Sequence, residues 1–443
     1  MTDPMARTEP RPGGVDQETV APDDETGELT AAPSAAGAVE ELTANSLGEY
    51  FRGSIERLRG GQMGVLPVVL GLVIISIIFQ SLNSNFLTAG NIVNLLVQGA
   101  VYMLLAMAEV FVLLLGEIDL SAGFVGGVGG IVAAEALTDQ HGAYPWWVAI
   151  LAGLILCALI GLLQGSIITR LGLPSFVVTL AGLLAFQGVM LLILGNGGTL
   201  PINDSIINDL ANGLLTPTAG WIIMIVLVAL YGLMAWFRDA RRRNRGLAAP
   251  PVGLTVLKIA GVAVMGVILI LICNADRGAL IPIKGVPWVL LIVLGVCAAW
   301  TFLLGRTRFG RYVYAIGGNT EAARRAGIAT KRVRTFCFML CSFTAGIAGI
   351  IYASRLRSVS TNLDGGQLVL YAVAAAVIGG ASLFGGRGKM IHAVLGGLVI
   401  AAIDNGMGLQ GFSAASKYIV TGIVLIAAVT IDALARRGRT PGS

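Results

Sequence analysis

From residue 65 onward the chain is a succession of long apolar runs separated by short polar breaks. Crossing the hydrocarbon core of a bilayer takes about 20 mainly apolar residues in a helix. Twelve runs approach that length: 65–83, 91–115, 120–138, 146–169, 174–195, 219–237, 253–273, 287–305, 333–353, 368–384, 389–409 and 416–434. The third, tenth and eleventh are Gly-rich and short. The pattern predicts an all-α polytopic membrane protein with about twelve transmembrane helices in one domain over 65–435. An even number of spans puts both termini on one side.

The chain ahead of these runs reads differently. Residues 1–65 hold 12 of the 25 acids and 5 of the 30 bases, a net of −7 against +12 for the remainder. Residues 1–45 lack apolar periodicity and read as a disordered acidic tail, with no signal peptide visible at their start. Ser46 and Glu49 fit a capping box. Leu47, Tyr50, Phe51, Ile55 and Leu58 then recur at helical spacing beside Arg52, Arg57 and Arg59, which predicts an amphipathic interfacial helix over 46–64.

Composition narrows the class. Of 443 residues, 56% are apolar and 12% carry charge, with a mean hydropathy of +0.82, whereas soluble domains carry about 25% charge. Three soluble domains would need more charged surface than this chain has. Five cysteines, mostly inside apolar runs, do not make a disulfide framework, and two histidines do not make a zinc or haem site. Placing the termini inside puts 19 Lys and Arg in the inner loops and C-terminal tail, the basic segment 436–443 included, against 5 in the outer loops. That asymmetry is the positive-inside signal of a cytoplasmic face.

The largest inner loop, 306–331, reads Asn319-Thr320-Glu321-Ala322-Ala323-Arg324-Arg325-Ala326-Gly327 at its centre. Thr320 is expected to cap a short helix from Glu321, with small residues on one face and Gly327 at its end. Such a helix suits a groove on a cytoplasmic partner, though a basic loop that only sets topology is the plainer reading. Ionisable and amide groups near apolar spans are costly and mark functional candidates. Glu117 and Asp119 occupy a break between the second and third runs, and Glu109 lies deep in the second. Asp404 and Asn405 interrupt the eleventh, while Asn91, Asn94 and Gln98 share a helical face. Glu117, Asp119, Asn94, Gln98, Asp404 and Asn405 are the candidates for a translocation pathway; inter-helix hydrogen bonding and, for Glu117 and Asp119, a solvated turn are the alternatives. Gly123 with Gly127, and Gly126 with Gly130, offer faces for close helix contact.

The Glu321-Ala322-Ala323…Gly327 pattern resembles the coupling loop of permease subunits in ATP-binding-cassette importers. Residues 307–328, Gly116-Glu-Ile-Asp-Leu-Ser-Ala-Gly123, Ile378-Gly-Gly-Ala-Ser-Leu-Phe-Gly-Gly-Arg-Gly388 and Asp404-Asn-Gly-Met-Gly-Leu409 are similar to the ribose/xylose branch over about 85–435. The family's glycine before Ile118 is Glu117 here. An added helix pair, 218–274, and the stretch Leu173-Pro-Ser-Phe-Val-Val-Thr-Leu180 look most like the D-xylose members. The resemblance implies a ten-helix core plus that pair in a bacterial inner membrane. It also implies monosaccharide import by alternating access, with Asn319, Glu321, Ala322, Ala323 and Gly327 coupling to a cytoplasmic ATPase. The partners it implies are that ATPase, holding ATP and magnesium, an external sugar-binding protein and a second permease copy in surrounding lipid. No cofactor in this chain, no catalytic residue and no nucleic acid are implied. The sequence agrees in lacking a phosphate-binding Gly-x-x-x-x-Gly-Lys-Ser/Thr loop, since Lys389 is followed by Met390. A stand-alone secondary transporter is the alternative; it would usually show two similar halves, and none match here. No selectivity filter and no nucleophile–base–orienter set argue for a channel or an enzyme.

Overall fold

The computed structural model describes residues 66–138, 143–195, 198–247, 249–278, 281–361 and 365–437. The acidic tail 1–45, the segment 46–64 and the final residues 438–443 lie outside the described residues. Each apolar run becomes a helix, since only internally hydrogen-bonded backbone survives in hydrocarbon. In order these are α1 Leu66–Leu82, α2 Ala89–Leu113, α3 Ala122–Glu135, α4 Trp146–Leu171 and α5 Ser175–Leu194. A strand β1, Thr199–Pro201, and the short helix α6, Ser205–Asn212, follow. Next come α7 Pro217–Asn244, α8 Val252–Asn274 and α9 Trp288–Arg306. The basic loop contains α10 Arg308–Gly318 and α11 Thr320–Arg325. The chain ends with α12 Thr330–Leu356, β2 Ser358–Ser360, α13 Gly365–Ile378, α14 Met390–Leu409 and α15 Ala414–Arg437.

Among the described residues eight helices are long and apolar enough to cross a bilayer, and four shorter apolar ones accompany them. The protein is therefore a multi-pass membrane protein. α3 and α13 have 14 residues each, about 21 Å at 1.5 Å per residue, short of a core roughly 30 Å thick. The tenth run accordingly stops being helical at Ile378; residues 379–389 turn back through Gly380, Gly385, Gly386 and Gly388, all at positive φ.

Packing sorts the helices into centre and rim. α12 lies against α4, α3 and α2, while α2 also contacts α13 and α14. Most of α2 is buried, 83% of its apolar window, against 6% for α7. Small residues explain the centre, because helices in lipid associate through close van der Waals fit. A side chain at Gly126 would strike the Ala345 carbonyl, and one at Gly349 would strike the backbone of Gly126. All five cysteines are free and buried in this packing. The α7–α8 pair instead turns large aliphatic residues outward, and the residue ahead of α7 is tied to the α8–α9 loop by Leu215 N–H to Val286 O at 2.8 Å. One feature departs from the all-helical expectation: β1 and β2 form an antiparallel ribbon pairing Thr199 with Ser360 and Pro201 with Ser358.

Candidate functional site

Three features along α12 and α2 compose the site. The end of the molecule bearing Arg332, Arg334 and the 306–331 loop is its basic face; α12 runs from there to β2. At the β2 end a cavity of about 140 Å³ opens between α3 and α12, lined by Gly127, Gly130, Gly349, Tyr352, Ser358 and Ser360 among others. Gly127, Gly349 and Tyr352 also wall a narrower cleft that reaches Gly123 and Leu368. None of these lining side chains carries charge. The cavity is small, glycine-walled and offers one aromatic ring and two serine hydroxyls. It suits a neutral polar solute held weakly.

The cleft ends where the first turns of the two short helices meet. A side chain at Gly123 would run into the carbonyl of Gly365, so α3 and α13 abut with glycine on both sides. Counted along α12, Gly349 lies nine residues from Ser358, about 13 Å, and fifteen from Arg334, about 22 Å. The open space therefore takes up about a third of the distance from the β2 end to Arg334, and packed side chains fill the rest.

Glu109, Glu117 and Asp119 occupy the filled part. Asp119 is fully buried, not a solvated turn. Its Oδ1 accepts from the Ser121 N–H at 2.9 Å and the Ser121 hydroxyl at 2.6 Å, and Ser121 in turn contacts Gln164. Glu117 pairs with Arg334, Oε1 to Nε at 2.5 Å. Glu109 is fully buried with no hydrogen-bond partner for either oxygen among the described residues; Asp119 Oδ2 and Glu117 Oε2 also lack one. No group of three or more metal-ligating side chains is placed to hold an ion among the described residues.

A second polar network joins α2, α14 and α15. Asp404 Oδ2 accepts from Gln98 Nε2 at 2.6 Å and from the Tyr102 hydroxyl at 2.9 Å, and Oδ1 meets Lys417 Nζ at 2.8 Å. Beside it the Asn91 and Asn405 amides exchange bonds of 2.8 and 3.1 Å. Tyr102 stacks edge-on against Tyr371 at 5.5 Å between centroids. Gln98 meets Asp404, and Asn405 beside it meets Asn91, so these three pathway candidates lie in contacts that link α2 to α14. Asn94 is exposed and takes no part in this network.

On the basic face, Asn319 caps α11, its side chain accepting from Ala322 N–H at 2.9 Å. This corrects the expected cap: the Thr320 hydroxyl instead turns back to Ile316 O at 3.0 Å. Glu321 bonds Arg324 and Arg325, which hold its carboxyl below the usual range. Ala323 is buried, while Ala322, Ala326 and Gly327 are exposed. Gly327 has φ +82°, which ends the helix as expected. α10, not foreseen as a separate helix, buries Val313 and Ile316. Its Gly317 approaches the Leu114 carbonyl so closely that no side chain fits, and the Gly386 N–H donates to that same carbonyl at 2.9 Å. The Tyr314 hydroxyl adds a bond to Gly388 O at 2.8 Å. The exposed loop is thereby joined to the end of α2, just before Glu117.

Tyr102, Tyr352, Lys417, Arg334 and Gln164 were not singled out by the sequence. Lys417 and Arg334 stand near the starts of apolar runs, and a partner 13 or 217 positions away leaves no periodic trace.

A model of the family described as branched-chain amino acid transport system / permease component matches residues 91–429. The xylose transport system permease protein of Escherichia coli K12 is 35% identical over 387 residues, covering 87% of this chain and 95% of that protein. The protein of the same name from Haemophilus influenzae is 36% identical over 381 residues, with coverage of 85% and 98%. The ribose import permease protein of Escherichia coli K12 is 30% identical over 367 residues, with coverage of 82% and 92%. No solved structure matches the chain.

Proposed function

The chain belongs to this family of transport-system permease components, and from that premise we propose that it is the membrane subunit of an ATP-driven monosaccharide importer, with D-xylose as its solute. The observation that carries the reading is a charge-free cavity at one end of α12 and a small-residue helix at the other, whose loop meets the end of α2 at Leu114. A zwitterionic amino acid needs charged or helix-end partners for its ammonium and carboxylate. A pentose needs hydroxyl partners and an aromatic face, which Ser358, Ser360 and Tyr352 provide. The xylose and ribose relatives point the same way.

The basic face is cytoplasmic in this reading, supported by 19 bases against 5, and both termini lie there. The twelve apolar helices form a ten-helix core plus the α7–α8 pair. A cytoplasmic ATPase holding ATP and magnesium grips Asn319 to Gly327. An external binding protein delivers sugar to the cavity beside β2, and a second permease copy completes the transporter. Force on α11 passes through Gly317 and Gly386 to the end of α2, then to the Glu117–Arg334 pair beneath the closed part of the route. Alternating access opens that part as the outer cavity shuts.

Proteoliposomes holding permease, ATPase and binding protein are expected to accumulate labelled D-xylose only with ATP inside the ATPase compartment. Equal or greater uptake of leucine would replace the solute. Uptake by the permease alone, driven by an ion gradient, would replace the mechanism with secondary transport.

A further inference from the structure

The cytoplasmic-type basic loop between α7 and α8 carries more structure than topology requires. The apolar stretch of α7 from Ala219 to Phe237 has 19 residues, about 28 Å long and enough to span the hydrocarbon. The helix nevertheless continues to Asn244. Arg238 therefore stands at the hydrocarbon boundary, and Arg241, Arg242, Arg243 and Arg245 extend about 4–10 Å beyond it, at headgroup depth.

These arginines are sorted by face. Positions 238, 241 and 245 follow helical spacing directly below Leu227, Leu230 and Met234, which are 45%, 50% and 67% exposed. That stripe points away from α8, which meets α7 along Met224, Gly232 and Asp239. Asp239 is the only acid on this segment and is already engaged: Arg238 Nε lies 2.8 Å away, and Thr255 of α8 donates at 3.0 Å. Arg243 is turned to the other side, over the Trp236 ring at 5.9 Å and to the Pro250 carbonyl at 3.1 Å. What remains along one outward face is a track of exposed aliphatic side chains ending in exposed Arg241 and Arg245.

We infer that the inner end of α7 is a binding site for an anionic phospholipid, whose acyl chain lies along Leu227, Leu230 and Met234 and whose headgroup phosphate is held by Arg241 and Arg245. The occupant follows from position: the α7–α8 pair is rim, not core, so lipid is its neighbour. The chemistry matches as well, because an arginine fork binds phosphate oxygens bidentately. Headgroup charge supplies the selectivity that the aliphatic track lacks.

The test uses the purified full chain in nanodiscs of equal phosphatidylglycerol and phosphatidylcholine, with retained lipid counted by native mass spectrometry. Wild type is expected to retain phosphatidylglycerol selectively, and R241Q/R245Q to weaken that retention about 30-fold, from about 1 kcal/mol per basic residue. Both substitutions are exposed and leave the Arg238–Asp239–Thr255 contact intact, so the thermal midpoint is expected to stay unchanged. R241K/R245K keeps the charge but loses the planar fork, and is expected to retain more lipid than R241Q/R245Q and less than wild type; retention no better than that of R241Q/R245Q overturns the inference. Glycerol phosphate in millimolar excess is expected not to displace the lipid. Retention without headgroup preference, or unchanged retention in R241Q/R245Q, overturns the inference. So does displacement by glycerol phosphate, or a variant that keeps its lipid but no longer assembles with the ATPase.

Discussion

Asp404 is the residue where architecture and transport make different forecasts. The residue is buried, and its carboxylate accepts from Lys417, Gln98 and Tyr102, which come from two other helices. Asp404→Asn keeps the shape and can still bond Gln98 and Tyr102 after an amide flip, but it leaves the Lys417 ammonium without a counter-charge. Lys417→Met leaves the carboxylate without one. Breaking a buried pair from one side costs about 3–5 kcal/mol, whereas replacing both partners is close to neutral. The Lys417 side chain is 24% exposed and that of Asp404 11%. Asp404→Asn is therefore expected at the low side, about 2 kcal/mol, and Lys417→Met at about 3 kcal/mol. The double variant is expected within about 1 kcal/mol of wild type. Unfolding of the purified chain in nanodiscs measures all four corners of the cycle. Additive costs, with the double variant near 5 kcal/mol, would refute the pairing argument. Sugar uptake by the same four proteins then separates the roles. If uptake returns with stability in the double variant, Asp404 fastens helices; if the stable double variant stays inactive, Asp404 acts on the solute.

Two further outcomes follow from the basic face. Gly317→Ala puts a methyl group against the Leu114 carbonyl and the Gly386 amide, an overpacking cost of about 1–3 kcal/mol. ATP hydrolysis is expected to continue while sugar moved per ATP falls, and an unchanged ratio in vesicles would exclude Leu114 as the relay. Ala322→Trp adds bulk to an exposed position of α11, so the permease is expected to keep its thermal midpoint but lose co-purification with the ATPase; retained co-purification would move the docking surface elsewhere.

Much of this protein is legible in one dimension. Hydrophobic run length and charge alone predict a multi-pass helical protein, because hydrocarbon forces every backbone group to be satisfied within its own helix. The α11 motif is local too: Asn319, Glu321 and Gly327 bond residues three or four positions away, so their order announces the helix even though the capping residue shifts from Thr320 to Asn319. Glycines at i and i+4 likewise foretold close contact at Gly126 and Gly130.

Tertiary structure decided what those residues meet. The run over 368–384 reads as short and Gly-rich, but nothing in it shows that the first turn of its helix abuts Gly123, because a glycine facing a glycine has no side-chain signature. Asp404 was conspicuous by its depth, yet its partner Lys417 looked like an ordinary base at the start of an apolar run until α14 and α15 folded together. Asn94 and Gln98 share a sequence pattern but not a fate, since only one of them faces α14. The cavity beside Tyr352 exists in no segment of the chain; it is the space left between α3, α12 and β2. Local order is set by interactions a few residues long, so sequence determined the helices and the short α11 with its end signals. The cavity and the polar contacts between helices depend on residues 13 to more than 300 positions apart, and only the packed helices bring them together.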